Sequence, residues 1–291
     1  MPPRHHPANI GIACAVGGFK GVFLHGVLAA LEELGFTAGA YAAASSSVVP
    51  AAMAAIGKLH ILGLDHWSQG LGIVNQGGGG MSALVQEGIE QAAPEIVESL
   101  FLPGKPRFLI AANLVDAEGA VETQGRGARR LGRLLLLAAA RGDHSWVDRH
   151  LTLRLFDSHA ADGNPPITPQ NFKEVAYASS RMLHAWDIPA WIDDRAYVDA
   201  FYNCACPAYE LASLGYDPVI AISNEPVLYR DIFQQEIIRD LRQGPSIITI
   251  APDNDPEEVG VSYTTATEEG LRLLYQHGLD KGRRFLAVFS A

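Results

Sequence analysis

Ile10-Gly11-Ile12-Ala13-Cys14-Ala15-Val16-Gly17-Gly18-Phe19-Lys20-Gly21 joins an uncharged, strand-like run to a turn made of glycines. Residues 9–16 read as a buried strand. Residues 22–34 then place Val22, Leu24, Val27, Leu28 and Leu31 on one helical face before Gly35 stops the periodicity. The unit recurs at once. Residues 39–44 form a short apolar run ending in Ser45-Ser46-Ser47, and the uncharged Val48–Ile56 suits a buried helix closed by Gly57. Two successive strand-turn-helix units predict an α/β fold, with a mostly parallel sheet flanked by helices and chemistry at the C-terminal ends of the strands. Farther along, strands are expected at Arg107–Val115, 217–223 and 246–251, a helix end at 175–180 and a closing helix at 258–277.

The chain has 291 residues, 48% of them hydrophobic and 19% charged, which excludes general disorder and allows a substantial core. With no low-complexity linker, residues 1–291 read as a single domain in which residues 1–8 are expected to be disordered. Against 22 Lys+Arg stand 32 Asp+Glu, and the net charge of −10 argues against a nucleic-acid partner. Cys14, Cys204 and Cys206 are too few and too closely spaced for a disulfide framework, so a reducing compartment is expected. Cys204-Ala205-Cys206 lacks a second ligand pair, so the cysteines are expected to pack as small apolar groups, with neither metal nor cofactor. The N-terminus lacks the pattern of a signal peptide, and residues 34–57 carry three serines and Pro50 where a membrane span needs continuous bulk. These readings predict a cytoplasmic location.

Ser45 stands between a buried strand and a buried helix, where a sharp turn lifts a hydroxyl clear of the backbone and makes it a nucleophile. The positions two residues to either side, Ala43 and Ser47, are small, as so tight a turn requires. Taking Ser46 instead would put β-branched Val48 at the crowded position. An ordinary helix N-cap would use the same residue type. Gly17 and Gly18 can aim backbone N–H groups at a developing oxyanion. A dinucleotide fold would want an acidic residue roughly 20 positions on, where Ala44-Ser45 stands, and a P-loop would want Gly-Lys-Ser/Thr. Asp199, in Tyr197-Val198-Asp199-Ala200-Phe201, reads by itself as a turn residue at a strand end.

Taken together, the glycine loop, the strand into Ser45, the Asp199 segment, Pro207, residues 216–223 and residues 247–253 make the chain resemble the patatin-like phospholipases over most of its length. Residues 60–170 carry little of the likeness. The resemblance implies a three-layer α/β fold and a serine–aspartate dyad, with Ser45 as nucleophile, Asp199 as its base, and Gly17 and Gly18 as the oxyanion hole. It departs from the family at Val16, Ala43, Ser47 and Ala200, where the family has glycine. The activity implied is that of a lipid acyl hydrolase or carboxylesterase acting on a lipid or other acyl ester through an acyl-enzyme. The departures motivate a second reading, a catalytically weakened binding or regulatory protein. Transfer of the acyl group to an acceptor other than water is a third. Phe201, beside Asp199, is expected to narrow the pocket toward small or thin acyl groups.

A Ser-His-Asp triad fits less well, because Ser45 follows only two strands and, of His25, His60, His184 and His277, only His277 stands in the expected order. His25, on the helix after the glycine loop, could approach the site. Gly77-Gly78-Gly79-Gly80 reads as a surface loop, with a lid hinge as the alternative. Arg126, Arg129, Arg130 and Arg133 lead into residues 134–140, a pattern shared by a solvated helix with core-facing leucines and by a helix in transient contact with an anionic membrane surface. The overall negative charge favours the solvated helix.

Overall fold

The computed structural model describes residues 7–75, 80–237 and 246–289. Among these, eight strands form one sheet: β1 (Gly11–Cys14), β2 (Ala40–Ala44), β3 (Arg107–Val115), β4 (Leu151–Asp157), β5 (Ala190–Ile192), β6 (Arg195–Val198), β7 (Val219–Ile222) and β8 (Ile247–Ile250). β3, β2, β1, β7 and β8 lie side by side and parallel. β4 and β6 run antiparallel to β3, and β5 antiparallel to β6. The sheet is therefore mixed and mostly parallel, as the repeated strand-turn-helix units predict.

Eleven α-helices occur among the described residues. α1 (Val22–Glu33), α2 (Val48–Ile56), α3 (Leu59–Leu62), α4 (Asp65–Asn75) and α5 (Met81–Leu100) precede β3. α6 (Ala117–Thr123), α7 (Ala128–Ala139) and α8 (Ser145–His150) lie between β3 and β4, and α9 (Phe172–Ser180) precedes β5. α10 (Ala208–Ser213) leads into β7, and α11 (Glu268–Phe289) ends the fold.

Strand alternation sorts the sheet's side chains into two cores, one on each face. Ile12, Cys14, Tyr41, Ala43, Ile110 and Ile222 meet α1, α2 and α11, whereas Ala13, Ala42, Leu109 and Ala221 meet α10 through Ala208 and Leu211. Burial on both faces explains why these strands read as continuous apolar runs. On the first face α1 and α11 cross almost backbone to backbone: a Cβ at Gly278 would lie 2.1 Å from the Phe23 carbonyl oxygen. The three cysteines are free and buried; Cys14 and Cys206 pack among apolar side chains, whereas Cys204 Sγ also donates to Glu210 Oε2 at 3.8 Å.

Two expectations are corrected. Pro7 and Ala8 are ordered in the short 3-10 turn Pro7–Asn9, while residues 1–6 lie outside the described residues. The closing helix does not start at residue 258. Pro256–Val259 is a 3-10 turn ended by left-handed Gly260, Val261 bridges to Ala266, and the long helix begins only at Glu268. The polar run 262–267 has no apolar periodicity with which to extend a helix. Gly77–Gly79 lie outside the described residues, and Gly80 caps α5.

The pairing of β3 positions the chemistry. β4 covers one edge of β3 from Leu109 to Val115, so β2 and β6 must both lie along the other edge. β2 comes in parallel and ends with Ala44 opposite Ala111, while β6 comes in antiparallel and ends with Val198 opposite Asn113. The two chains run toward each other and stop two rungs apart. The next residues, Ser45 and Asp199, meet at the gap.

Candidate active site

Ser45 begins the 3-10 turn Ser45–Ser47 between β2 and α2, and its φ of 57° lies in the left-handed region. For a residue with a Cβ this conformation costs roughly 1–2 kcal/mol, so the turn must be held from outside. Ser45 N–H donates to Ser179 Oγ at 2.8 Å from the end of α9, and Ser47 Oγ donates to the Ala15 carbonyl beside β1. Both bracing serines are fully buried.

Ser45 Oγ donates to Asp199 Oδ2 at 2.9 Å, and Asp199 Oδ1 accepts the Phe201 N–H at 2.8 Å. Asp199 is held on its backbone as well. Its N–H donates to the Arg181 carbonyl at 3.0 Å, and its carbonyl accepts Asn113 Nδ2 at 2.7 Å. The carboxyl group is fully buried, and burial lifts its pKa to about 7 against the opposing pull of the Phe201 and Ser45 hydrogen bonds. A carboxylate with a pKa near neutrality can take a serine proton, where one in the ordinary range is too weak a base.

Gly17 and Gly18 follow β1. Phe19 N–H donates to the Tyr263 carbonyl and Lys20 N–H to the Gly17 carbonyl, while the amides of Gly17 and Gly18 have no acceptor among the described residues. These are the donors an oxyanion hole needs. Asn224, at the end of β7, fixes the approach to the loop: its Nδ2 donates to the carbonyls of Ala15 and Val16, and its Oδ1 accepts Leu24 N–H. Lys20 carries the loop's only charge, and it is pinned by Glu225 at 2.9 Å and Asp255 at 3.1 Å. Burial opposes its charge, but those two carboxylates outweigh the penalty and raise its pKa. So bound, it ties the glycine loop to the segments after β7 and β8.

Gly18 has a φ of 53°, and a Cβ there would lie 1.9 Å from the Tyr263 carbonyl oxygen. Gly18→Ala must displace the loop amides from Ser45. The expected loss in kcat is about 10²–10³-fold, the scale of one missing oxyanion donor, with an intact dyad still titrating in the pH profile. Steady-state kinetics across pH checks it.

Ser45, Asp199, Gly17 and Gly18 open into one cavity of about 1150 Å³. Its far wall is apolar, with Val49, Ile73, Met81, Leu84, Val85 and Ile89 from α2, α4 and α5. Asp255 and Glu257 stand at its exposed rim, and the more buried Glu225 also lines it. Phe201 occupies space beside Asp199, with its ring centroid 5.9 Å from that of Tyr263 in a stacked pair. The cavity as a whole is nevertheless at the large end of ligand sites.

All four predicted site residues are thus brought together. Ser46 also lines the cavity, but its Oγ has no partner among the described residues, and the bond to Asp199 is made by Ser45. No histidine bonds to Ser45 or Asp199 among the described residues. His25 is fully buried and accepts Trp67 Nε1–H at 2.9 Å; burial, helped by nearby His66, lowers its pKa to about 3. His277 accepts the Asp253 N–H instead, and His60 pairs with Glu32. Ser179, Asn113 and Asn224 were missed in sequence. Ser179-Ser180 at a helix end was the faint signal for the first, and the two asparagines gave none.

No protein-family model matches the chain, and no curated protein matches it. Among the described residues no helix is long and apolar enough to cross a membrane.

Proposed function

We propose that this chain is a serine acyl hydrolase of the patatin-like kind, a lipid acyl hydrolase or carboxylesterase that works through an acyl-enzyme. The observation that carries the reading is the 2.9 Å bond from Ser45 Oγ to a buried Asp199, made from a left-handed serine. An N-capping serine has no need of a left-handed backbone, and the strain is sustained by Ser179 and Ser47. The motif resemblance around Gly17, Ser45 and Asp199 points the same way. Free, buried cysteines fit a reducing, cytoplasmic setting.

In this mechanism Asp199 Oδ2 takes the proton of Ser45 as Oγ bonds to the ester carbonyl carbon. The carbonyl oxygen becomes an oxyanion held by the Gly17 and Gly18 amides. Collapse breaks the bond to the leaving alkoxide, which receives the proton from Asp199 and departs as alcohol. Water then attacks the acyl-enzyme and gives its proton to Asp199. The second collapse frees the acid and returns the proton to Ser45. The acyl chain lies against the apolar wall formed by α2, α4 and α5, and the polar part of the substrate faces the rim.

Labelling with a fluorophosphonate followed by peptide mapping tests the reading. The expected result is an adduct on Ser45 that disappears in Asp199→Ala. Folded protein that gains no adduct beside a reactive control hydrolase would leave a binding or regulatory role in its place.

A further inference from the structure

Between Arg126 and Arg141 the chain holds five arginines and no carboxylate, in a protein with a net charge of −10. In the structure α7 fills most of this segment. It buries Ala128, Gly132 and Leu135 against the body of the protein. Its outward surface is divided along the axis. Arg129, Arg130 and Arg133 stand out from the N-terminal half, and Leu134, Leu136 and Leu137 from the C-terminal half, 52%, 37% and 55% exposed. Isolated exposed leucines are common, but three within four positions make a patch.

The arginines are nearly unpaired. Arg129 reaches Asp187 at 3.4 Å, and among the described residues Arg126, Arg130, Arg133 and Arg141 have no carboxylate partner. The leucine end sits at the active cavity, since Leu136, Ala139, Ala140 and Gly142 line it. An anionic surface at the arginines and a hydrocarbon boundary at the leucines would therefore bring the α7 side of the cavity to the lipid.

We propose that α7 is an interfacial docking helix that seats the protein on anionic bilayers, with Arg126, Arg129, Arg130 and Arg133 on lipid phosphates and Leu134 and Leu137 in the headgroup–acyl boundary. Charge complementarity selects the bilayer. A protein partner for this face would have to match an uninterrupted basic run and a leucine patch together, whereas an anionic membrane presents phosphate above hydrocarbon at every point. The purpose of the docking rests on the acyl-hydrolase reading, but the docking itself does not involve Ser45.

The test is sedimentation of the full chain with phosphatidylcholine vesicles, with and without phosphatidylglycerol. The expected result is co-sedimentation with the phosphatidylglycerol vesicles only, weakened by added salt. Arg126→Gln with Arg130→Gln lowers the partition coefficient about thirtyfold, and Leu134→Ser with Leu137→Ser abolishes binding. Near-ultraviolet circular dichroism and turnover of water-soluble p-nitrophenyl butyrate report that both variants stay folded, and Ser45→Ala binds as the parent does. A parent that fails to sediment with the charged vesicles, or variants that sediment as it does, overturns the proposal. So does a parent dimer that the leucine variant converts to monomer, which would make α7 a contact between two copies. Bound protein that turns over no ester would instead overturn the hydrolase reading alone.

Discussion

Ser45→Ala is expected to remove the fluorophosphonate adduct and to lower ester turnover at saturating substrate about 10⁶-fold, the scale of losing a nucleophilic serine. Ser46→Ala is expected to keep the adduct and to stay within about tenfold of the parent. The difference follows from the turn, since only Ser45 is driven to a φ of 57° and only its Oγ reaches Asp199. The same geometry makes a prediction about stability. Ala and Gly at position 45 both lose the bond to Asp199, but Gly also relieves the left-handed strain. Ser45→Gly should therefore be more stable than Ser45→Ala by about 1 kcal/mol, read from urea unfolding. Equal stabilities would mean that the turn stores no strain and that Ser45 is an ordinary cap. Turnover retained in Ser45→Ala would remove the nucleophile from the mechanism.

The parallel half of the sheet was legible because both of its faces are buried, which leaves uncharged runs such as residues 10–16 and 108–115 with glycines or polar residues at their ends. Ser45 was legible for the same reason, standing where such a run turns into an apolar helix. Asp199 was not legible from local pattern. It reaches Ser45 only because β6 runs antiparallel into the edge of β3 that β2 vacates, a pairing across separations of 83 and 85 residues that no periodicity records. In the sequence Asp199 stands out only through the resemblance to a known family. The bracing by Ser179, Asn113 and Asn224 escaped for a similar reason, as the partner of each is fixed by the fold and not by its neighbours in sequence. The helix start misplaced at residue 258 shows the opposite failure: the acidic residues Glu257 and Glu258 look like a first helical turn, but Gly260 ends that turn after four residues.

Asp199→Asn carries the second large effect, and pH makes it specific. Burial holds the carboxyl pKa at about 7 in the folded protein, above its ordinary 3.8. As a base Asp199 must be ionised, so kcat/KM should fall tenfold per pH unit below about 7 and level off above it. An asparagine side chain accepts the Phe201 N–H equally well but cannot take a proton, so the variant should lose about 10³–10⁴-fold in kcat and its residual rate should lack that limb. Stability runs the other way. Because the folded state binds the proton more tightly than the unfolded chain, the group's contribution is fully present below pH 4 and is lost as pH rises through 7, a change of about 4 kcal/mol. The amide has no proton to lose, so the stability of Asp199→Asn should fall less than the parent's over that interval, and the two curves should converge toward acid pH. Urea unfolding of both proteins from acid to mildly alkaline pH measures this. Parallel stability curves, or an acid limb that survives in Asp199→Asn, would show that the titrating base is some other group and that Asp199 only holds Ser45 in place.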